Sequence, residues 1–198
     1  MLIAIGAKPE SSFADPIGLL TDCHRRIERF LAVLVQVSEQ SEGGQLTSEQ
    51  RTALETALLY FREAAPKHTA DEEQTLFPRL RSLDRPVVKT ILARVDVLEA
   101  QHGEAGQSHA EIDRLGRAWL AAGSLSSVDA TRLSVLVTGL MDLYRGHIDI
   151  EEREVFPVAA TELDRSECDA MGGEMAARRA LRWPSTQQNA SDRRTTER

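Results

Sequence analysis

His68-Thr69-Ala70-Asp71-Glu72-Glu73-Gln74-Thr75-Leu76-Phe77-Pro78 and His147-Ile148-Asp149-Ile150-Glu151-Glu152-Arg153-Glu154-Val155-Phe156-Pro157 share one pattern, H-x-x-x-E-E-x-x-x-F-P, set 79 residues apart. Two more histidines precede the copies at nearly equal distances: His24 lies 44 residues before His68, and His102 lies 45 before His147. A helix-turn-helix unit of that size, present twice, builds a four-helix bundle. Each helix would offer one His to a shared interior, and two of them would add a Glu.

The rest of the chain supports an all-α reading. Asp15-Pro16 opens a first helix whose apolar seam, Ile17, Leu20, His24, Ile27, Leu31, Leu34, advances in steps of three and four. Gly43-Gly44 breaks it, and Thr47-x-x-Gln50 is a capping box for a second helix with the seam Leu54, Leu58, Phe61, Ala65, His68, Glu72, Leu76. Pro66 should kink this helix just before His68. A third helix starts near Asp84-Arg85-Pro86, with the seam Ile91, Val95, Leu98, His102, Ala105, His109, Ile112, Gly116, Trp119. A fourth, capped near Ser127, reads Leu133, Leu136, Leu140, Leu143, His147, Glu151, Glu154, Val158, with Pro157 kinking or ending it. The expected architecture is an up-down-up-down four-helix bundle over residues 15–182. It has an extended arm (1–14), a short helix near 167–181 and a disordered Ser/Thr/Gln/Arg-rich tail (183–198).

Composition sets limits. A chain of 198 residues with 41% hydrophobic and 28% charged residues suits one globular domain, and a net charge of −7 disfavours nucleic acid as a partner. Two cysteines, Cys23 and Cys168, make no disulfide framework, and no apolar run is long enough for a membrane span. A cytoplasmic location is expected. Leu and Val on faces outside the seams leave a homodimer open.

Every seam carries an ionisable residue where an apolar one belongs. A buried carboxylate without a partner costs several kcal/mol or loses its charge. His at i and Glu at i+4 differ by only about 40° around a helix, so one interior point receives both. Imidazole together with carboxylate suits Fe, Mn or Zn better than Ca or Mg. Four His and two Glu exceed the needs of one tetrahedral zinc. They fit two irons bridged by Glu72 and Glu151 and by an oxo or hydroxo group, with about two of some twelve coordination positions left open. Zn or Mn are substitutes that the same donors accept.

These residues resemble the hemerythrin-like HHE cation-binding domain family over roughly residues 15–180. The resemblance rests on the two H-x-x-x-E-E-x-x-x-F-P segments, His24 in Asp-x-His-Arg-Arg-Ile-Glu, and His102. It implies a bundle enclosing a non-haem di-iron centre with His24, His68, Glu72, His102, His147 and Glu151 as metal ligands. Gly106 stands where oxygen carriers have a further His, and Glu151 where they have Asp. The four-His, two-Glu set is therefore more similar to iron-centre repair and iron-sensing members.

The remaining polar seam residues have blander readings. A lone His such as His24 or His102 can be a hydrogen-bonded core residue, and Glu72 or Glu151 can pair with a seam His. His109, about 10 Å along the axis from His102, is too far for the same metal and reads as a supporting or core residue. Glu73 and Glu152 point about 100° from their neighbours. They read as solvated or as supporting the ligands from behind, with replacement of the preceding Glu left open. Tyr144 can donate into the site or pack in the core. Phe77 and Phe156 would wall the site, and Cys23 would face away from it.

Three functions remain. The first is a di-iron protein that binds or senses O2, NO or peroxide, or handles iron. The second is a metal-dependent regulatory or interaction module without catalysis, and the third is a structural or zinc-only bundle. No nucleophile constellation or phosphate loop points to another enzyme class, so enzymatic activity stays open.

Overall fold

The computed structural model describes residues 11–182, and all regular structure among them is helical. Helix α1 (Pro16–Ser41) begins as Asp15 accepts the Gly18 N–H at 3.0 Å. It ends where Glu42 and Gly43 turn left-handed, at φ 44° and 77°. Helix α2 (Ser48–Glu63) starts with the reciprocal Thr47/Gln50 capping box. The chain breaks at Ala64, and α3 (Ala65–Asp71) resumes with Pro66 in its first turn, so the expected kink falls just before His68.

Past Asp71 the helix changes pitch. Glu72–Leu76 forms a π-helical turn closed by Phe77 N–H to the Glu72 carbonyl, and α4 (Phe77–Ser82) follows. The second copy does the same. Helix α6 (Ser127–Ile150) leads into a π-helical turn at Glu151–Val155, closed by Phe156 N–H to the Glu151 carbonyl, and then into α7 (Phe156–Glu162). Proline explains both turns. An α-helix would require Pro78 and Pro157 to donate an N–H they lack and would press their rings on the carbonyl four residues back. One extra residue in the turn relieves both problems. Pro157 therefore does not end the helical path: it lies in the first turn of α7, directly after the π turn.

Between these segments runs α5 (Pro86–Ala122), stopped at Gly123 with φ 82°. Helix α8 (Arg165–Arg178), capped by Asp164, closes the described chain. Residues 11–14, the described part of the expected arm, form a bend and turn rather than an extended segment, tied to α1 by Ser11 N–H to Asp22. The expected tail at 183–198 lies outside the described residues.

Helix α1 packs on α2 and α6, and α5 packs on the same two, which closes a ring of helices around one interior. Two apolar clusters fill it. One, called the upper cluster as against the lower, gathers Ile27, Leu31, Leu58, Phe61, Ile112, Trp119 and Leu140. The other gathers Leu20, Leu76, Phe77, Leu98, Val155, Phe156 and Met171. Between them lies the layer of histidines and glutamates, carried by α1, by α3 with the π turn after it, by α5, and by α6 with the π turn after it. The seams are mostly as the periodicity predicts. In α6, however, Val137 and Tyr144 are buried where Leu136 and Leu143 were expected, and Glu154 turns out to pair with Arg94 at 2.8 Å. The β-branched and aromatic side chains, one position further round the helix, fill the narrow interior.

Candidate metal centre

The six predicted residues converge. His24, His68, Glu72 and Glu151 form one group, and Glu72, His102, His147 and Glu151 a second; in each group one donor atom per residue lies within 4.8 Å of all the others. The two carboxylates are common to both groups. His68 Nε2 stands 3.1 Å from Glu72 Oε1, and His102 Nε2 stands 3.3 Å from Glu72 Oε2. His24 Nε2 lies 3.0 Å and His147 Nε2 3.4 Å from Glu151 Oε2. The Nε2 atoms of His102 and His147 approach to 3.1 Å. Glu72 and Glu151 have no exposed surface.

Local structure aims these atoms. His68 and His147 precede their glutamates by four residues at the end of an α-helical stretch, so ring and carboxylate share a face. His24 and His102 are oriented from behind by the second Glu of the opposite copy: His24 Nδ1 meets Glu152 at 2.8 Å and His102 Nδ1 meets Glu73 at 2.9 Å. His147 Nδ1 meets Gln101 at 3.0 Å. His68 Nδ1 is buried with no hydrogen-bond partner. Phe156 lies nearly parallel to His24 at 5.4 Å between ring centres, and Phe77 to His102 at 6.2 Å, so both phenylalanines wall the layer.

This arrangement fits a cation. Where Nδ1–H donates outward to a carboxylate, Nε2 turns a lone pair inward. Both oxygens of Glu72 and of Glu151, together with His24 Nε2, are buried without a hydrogen-bond partner. Inward-facing acceptors without donors leave a buried negative charge uncompensated, which costs several kcal/mol. Protonation answers part of the demand. Burial opposes a charge on His24 and on His102, yet Glu151, Glu152 and Glu72 hold His24 well above the usual histidine range, and Glu72 with Glu73 raises His102 to about 9. Burial lowers His68 to about 4. Burial would raise Glu72, but His68, His102 and His24 hold it well below the usual carboxylate range. Glu72 thus keeps its charge and calls for positive charge, which a metal supplies as those protons leave.

Several participants escaped the sequence reading. Asp71, fully buried beside Glu72, pairs with Arg178 and with Arg179 at 2.6 Å, while Arg178 also reaches Thr75 Oγ1 at 3.1 Å. Helix α8 is thereby fastened to the π turn carrying Glu72. Nothing in the periodicity of α8 signals this; two consecutive arginines beside a solvent boundary read as surface. The crossed Glu73 and Glu152 had a visible signal in the repeated E-E doublet, although the spacing alone did not tell support from solvation. Tyr144 does not donate into the site, because its hydroxyl is engaged with His109 Nε2 at 3.1 Å. His109 and Cys23 stand outside both donor groups.

The model of the hemerythrin HHE cation-binding domain matches residues 15–159 of this chain. An uncharacterized protein of Haemophilus influenzae is 27% identical over 172 residues, which span 87% of this chain and 94% of that protein.

Proposed function

This chain belongs to the hemerythrin HHE cation-binding domain family, and from that premise we propose that it binds two iron ions and uses them to bind or sense a small molecule such as O2, NO or peroxide, or to handle iron. The observation that carries the reading is the pair of donor groups sharing Glu72 and Glu151, with four carboxylate oxygens buried and unpartnered between four imidazoles. His24 and His68 would hold one ion, His102 and His147 the other, and the two glutamates would bridge them. Residues 15–182 form the domain, an up-down-up-down four-helix bundle, and its setting is the cytoplasm.

A bound iron pair would supply one-electron redox changes and an open position for a small ligand. The chain's own residues do the rest. Glu72 and Glu151 hold the negative charge that retains the cations. Glu73, Glu152 and Gln101 fix the rotation and tautomer of three imidazoles. Phe77 and Phe156 keep water from the floor of the layer.

A second reading, a metal-dependent regulatory module, is favoured by one observation: α8 grips Asp71, the neighbour of Glu72. Changes at the metal layer would reach α8 through that grip.

The test is metal content per chain on anaerobically purified protein, with optical spectra before and after air. Two irons and a near-ultraviolet band that develops on oxidation are expected. One redox-silent ion, or none after iron loading, would overturn the di-iron reading.

A further inference from the structure

We propose that the small cavity between α2 and α5 is a binding and access site for a neutral diatomic gas on its way to the His147 side of the metal layer, with the His109–Tyr144 hydrogen bond as its inner barrier. This deepens, and rests on, the small-molecule reading above.

The cavity measures about 150 Å³. Leu58, Phe61 and Ile112 form its apolar floor, all three buried within the upper apolar cluster. Arg62 and Asp113 stand at its mouth and pair with each other at 3.0 Å. His109 forms the inner wall, its ring lying against Phe61 at 4.5 Å between centres. Behind His109 comes Tyr144, hydrogen-bonded to it at 3.1 Å, and behind Tyr144 comes His147, with ring centres 6.0 Å apart. The order from solvent inward is thus ion pair, apolar chamber, imidazole, phenol, metal layer.

Chemistry selects the occupant. The pocket is half open, but its apolar floor of Leu58, Phe61 and Ile112 holds water weakly and suits xenon or small hydrocarbons. Of the two polar side chains beyond it, burial lowers His109 to about 4, and Tyr144 turns its hydroxyl to His109 at 3.1 Å, so neither offers a charge to the chamber. An ion would lose its hydration here without a counter-charge in return, so superoxide and nitrite are disfavoured. Dioxygen and nitric oxide share the required properties of small size, no charge and weak hydration. On the proposed route the His109–Tyr144 bond must open, through a rotamer change of Tyr144 or His109.

Ala110 lies on the rim and is exposed, so a large side chain there can plug the mouth without disturbing the core. The experiment combines xenon binding to metal-free protein, followed by 129Xe NMR or in crystals under xenon pressure, with stopped-flow association of NO and of O2 at iron-loaded protein. Variants are Ala110→Trp and Tyr144→Phe. Xenon is expected beside Leu58, Phe61 and Ile112 and is expected to vanish in Ala110→Trp. That variant should slow whichever gas reacts by about tenfold at unchanged iron content, and Tyr144→Phe should speed it by at least about twofold. Fast gas reaction without xenon in the chamber, or an Ala110→Trp rate within about twofold of the parent, would overturn the access site alone. Xenon in the chamber with no reaction of either gas at loaded iron would sink the small-molecule reading, and the access site with it.

Discussion

The two copies of H-x-x-x-E-E-x-x-x-F-P build the same half-site in different surroundings. In both, His and the first Glu face the interior, a π turn follows, and the second Glu reaches across to the lone His of the other half. Around that common core the copies diverge. Before Glu72 stands Asp71, gripped by Arg178 and Arg179, whereas before Glu151 stands Ile150, packed against the lower apolar cluster. His147 is held from behind by Gln101, whereas His68 Nδ1 has no partner. What the chemistry requires is duplicated, and what anchors each copy is improvised from whatever packs nearby.

The sharpest way to break the equivalence of the halves is to remove one shared carboxylate. Glu72→Ala and Glu151→Ala should each lose at least one of two ions per chain, with similar outcomes, measured as metal content after gel filtration. If only one variant loses metal, the carboxylates are not equivalent bridges.

Asp71 and Ile150 should behave unequally. Breaking a buried ion pair costs about 3–5 kcal/mol when both partners are buried. Here the two arginines are 20% exposed and can turn to solvent, so Asp71→Ala should cost about 2 kcal/mol in denaturant unfolding. Ile150→Ala, at a partly buried site, should cost about 1 kcal/mol. A smaller loss for Asp71→Ala would mean that α8 is not fastened there.

The supporting groups give a finer comparison. Glu73→Gln and Glu152→Gln should each weaken metal binding about 10–100-fold, to the same extent in both halves, and Gln101→Leu should do so by a comparable factor. With His68 unsupported, the ion beside His24 and His68 should leave first under a chelator, seen as two phases in metal release. Uniform release would contradict the asymmetry.

The smallest effect concerns His109, partly buried and about 10 Å along α5 from His102. Its folded value, about 4, lies below the ordinary 6.5. The stability linked to it is complete above about pH 6.5 and is lost as pH falls toward 4. His109→Phe should flatten the acid limb of the stability profile, by about 1 kcal/mol at pH 5.5 relative to the parent. An unchanged acid limb would show that His109 is not held neutral by burial.

The residues that converge were legible because convergence is periodic. His24, His68, Glu72, His102, His147 and Glu151 all sit on seams whose apolar neighbours are mostly buried as expected, Leu136 and Leu143 excepted. Helix starts were legible too, because Thr47 and Pro86 act locally. What stayed hidden depends on partners far along the chain. Asp71 and Arg179 are 108 residues apart, and Tyr144 and His109 are 35 apart. The π turns left a trace in the F-P pairs, but a proline alone does not distinguish a widened turn from a break. The shift from Leu143 to Tyr144 is a rotation of one residue, which period counting does not resolve.

The crossed glutamates bear on ancestry. Glu73 serves the His of the second half and Glu152 the His of the first, so neither half completes its own site. A half-length chain with one lone His and one motif would assemble the whole layer only by pairing with a second copy of itself. Such a pairing has twofold symmetry, and joining the two copies by a short loop would free each half to drift. The Asp71 grip and the unpartnered His68 Nδ1 are the kind of differences that a fused pair accumulates and a symmetric dimer cannot.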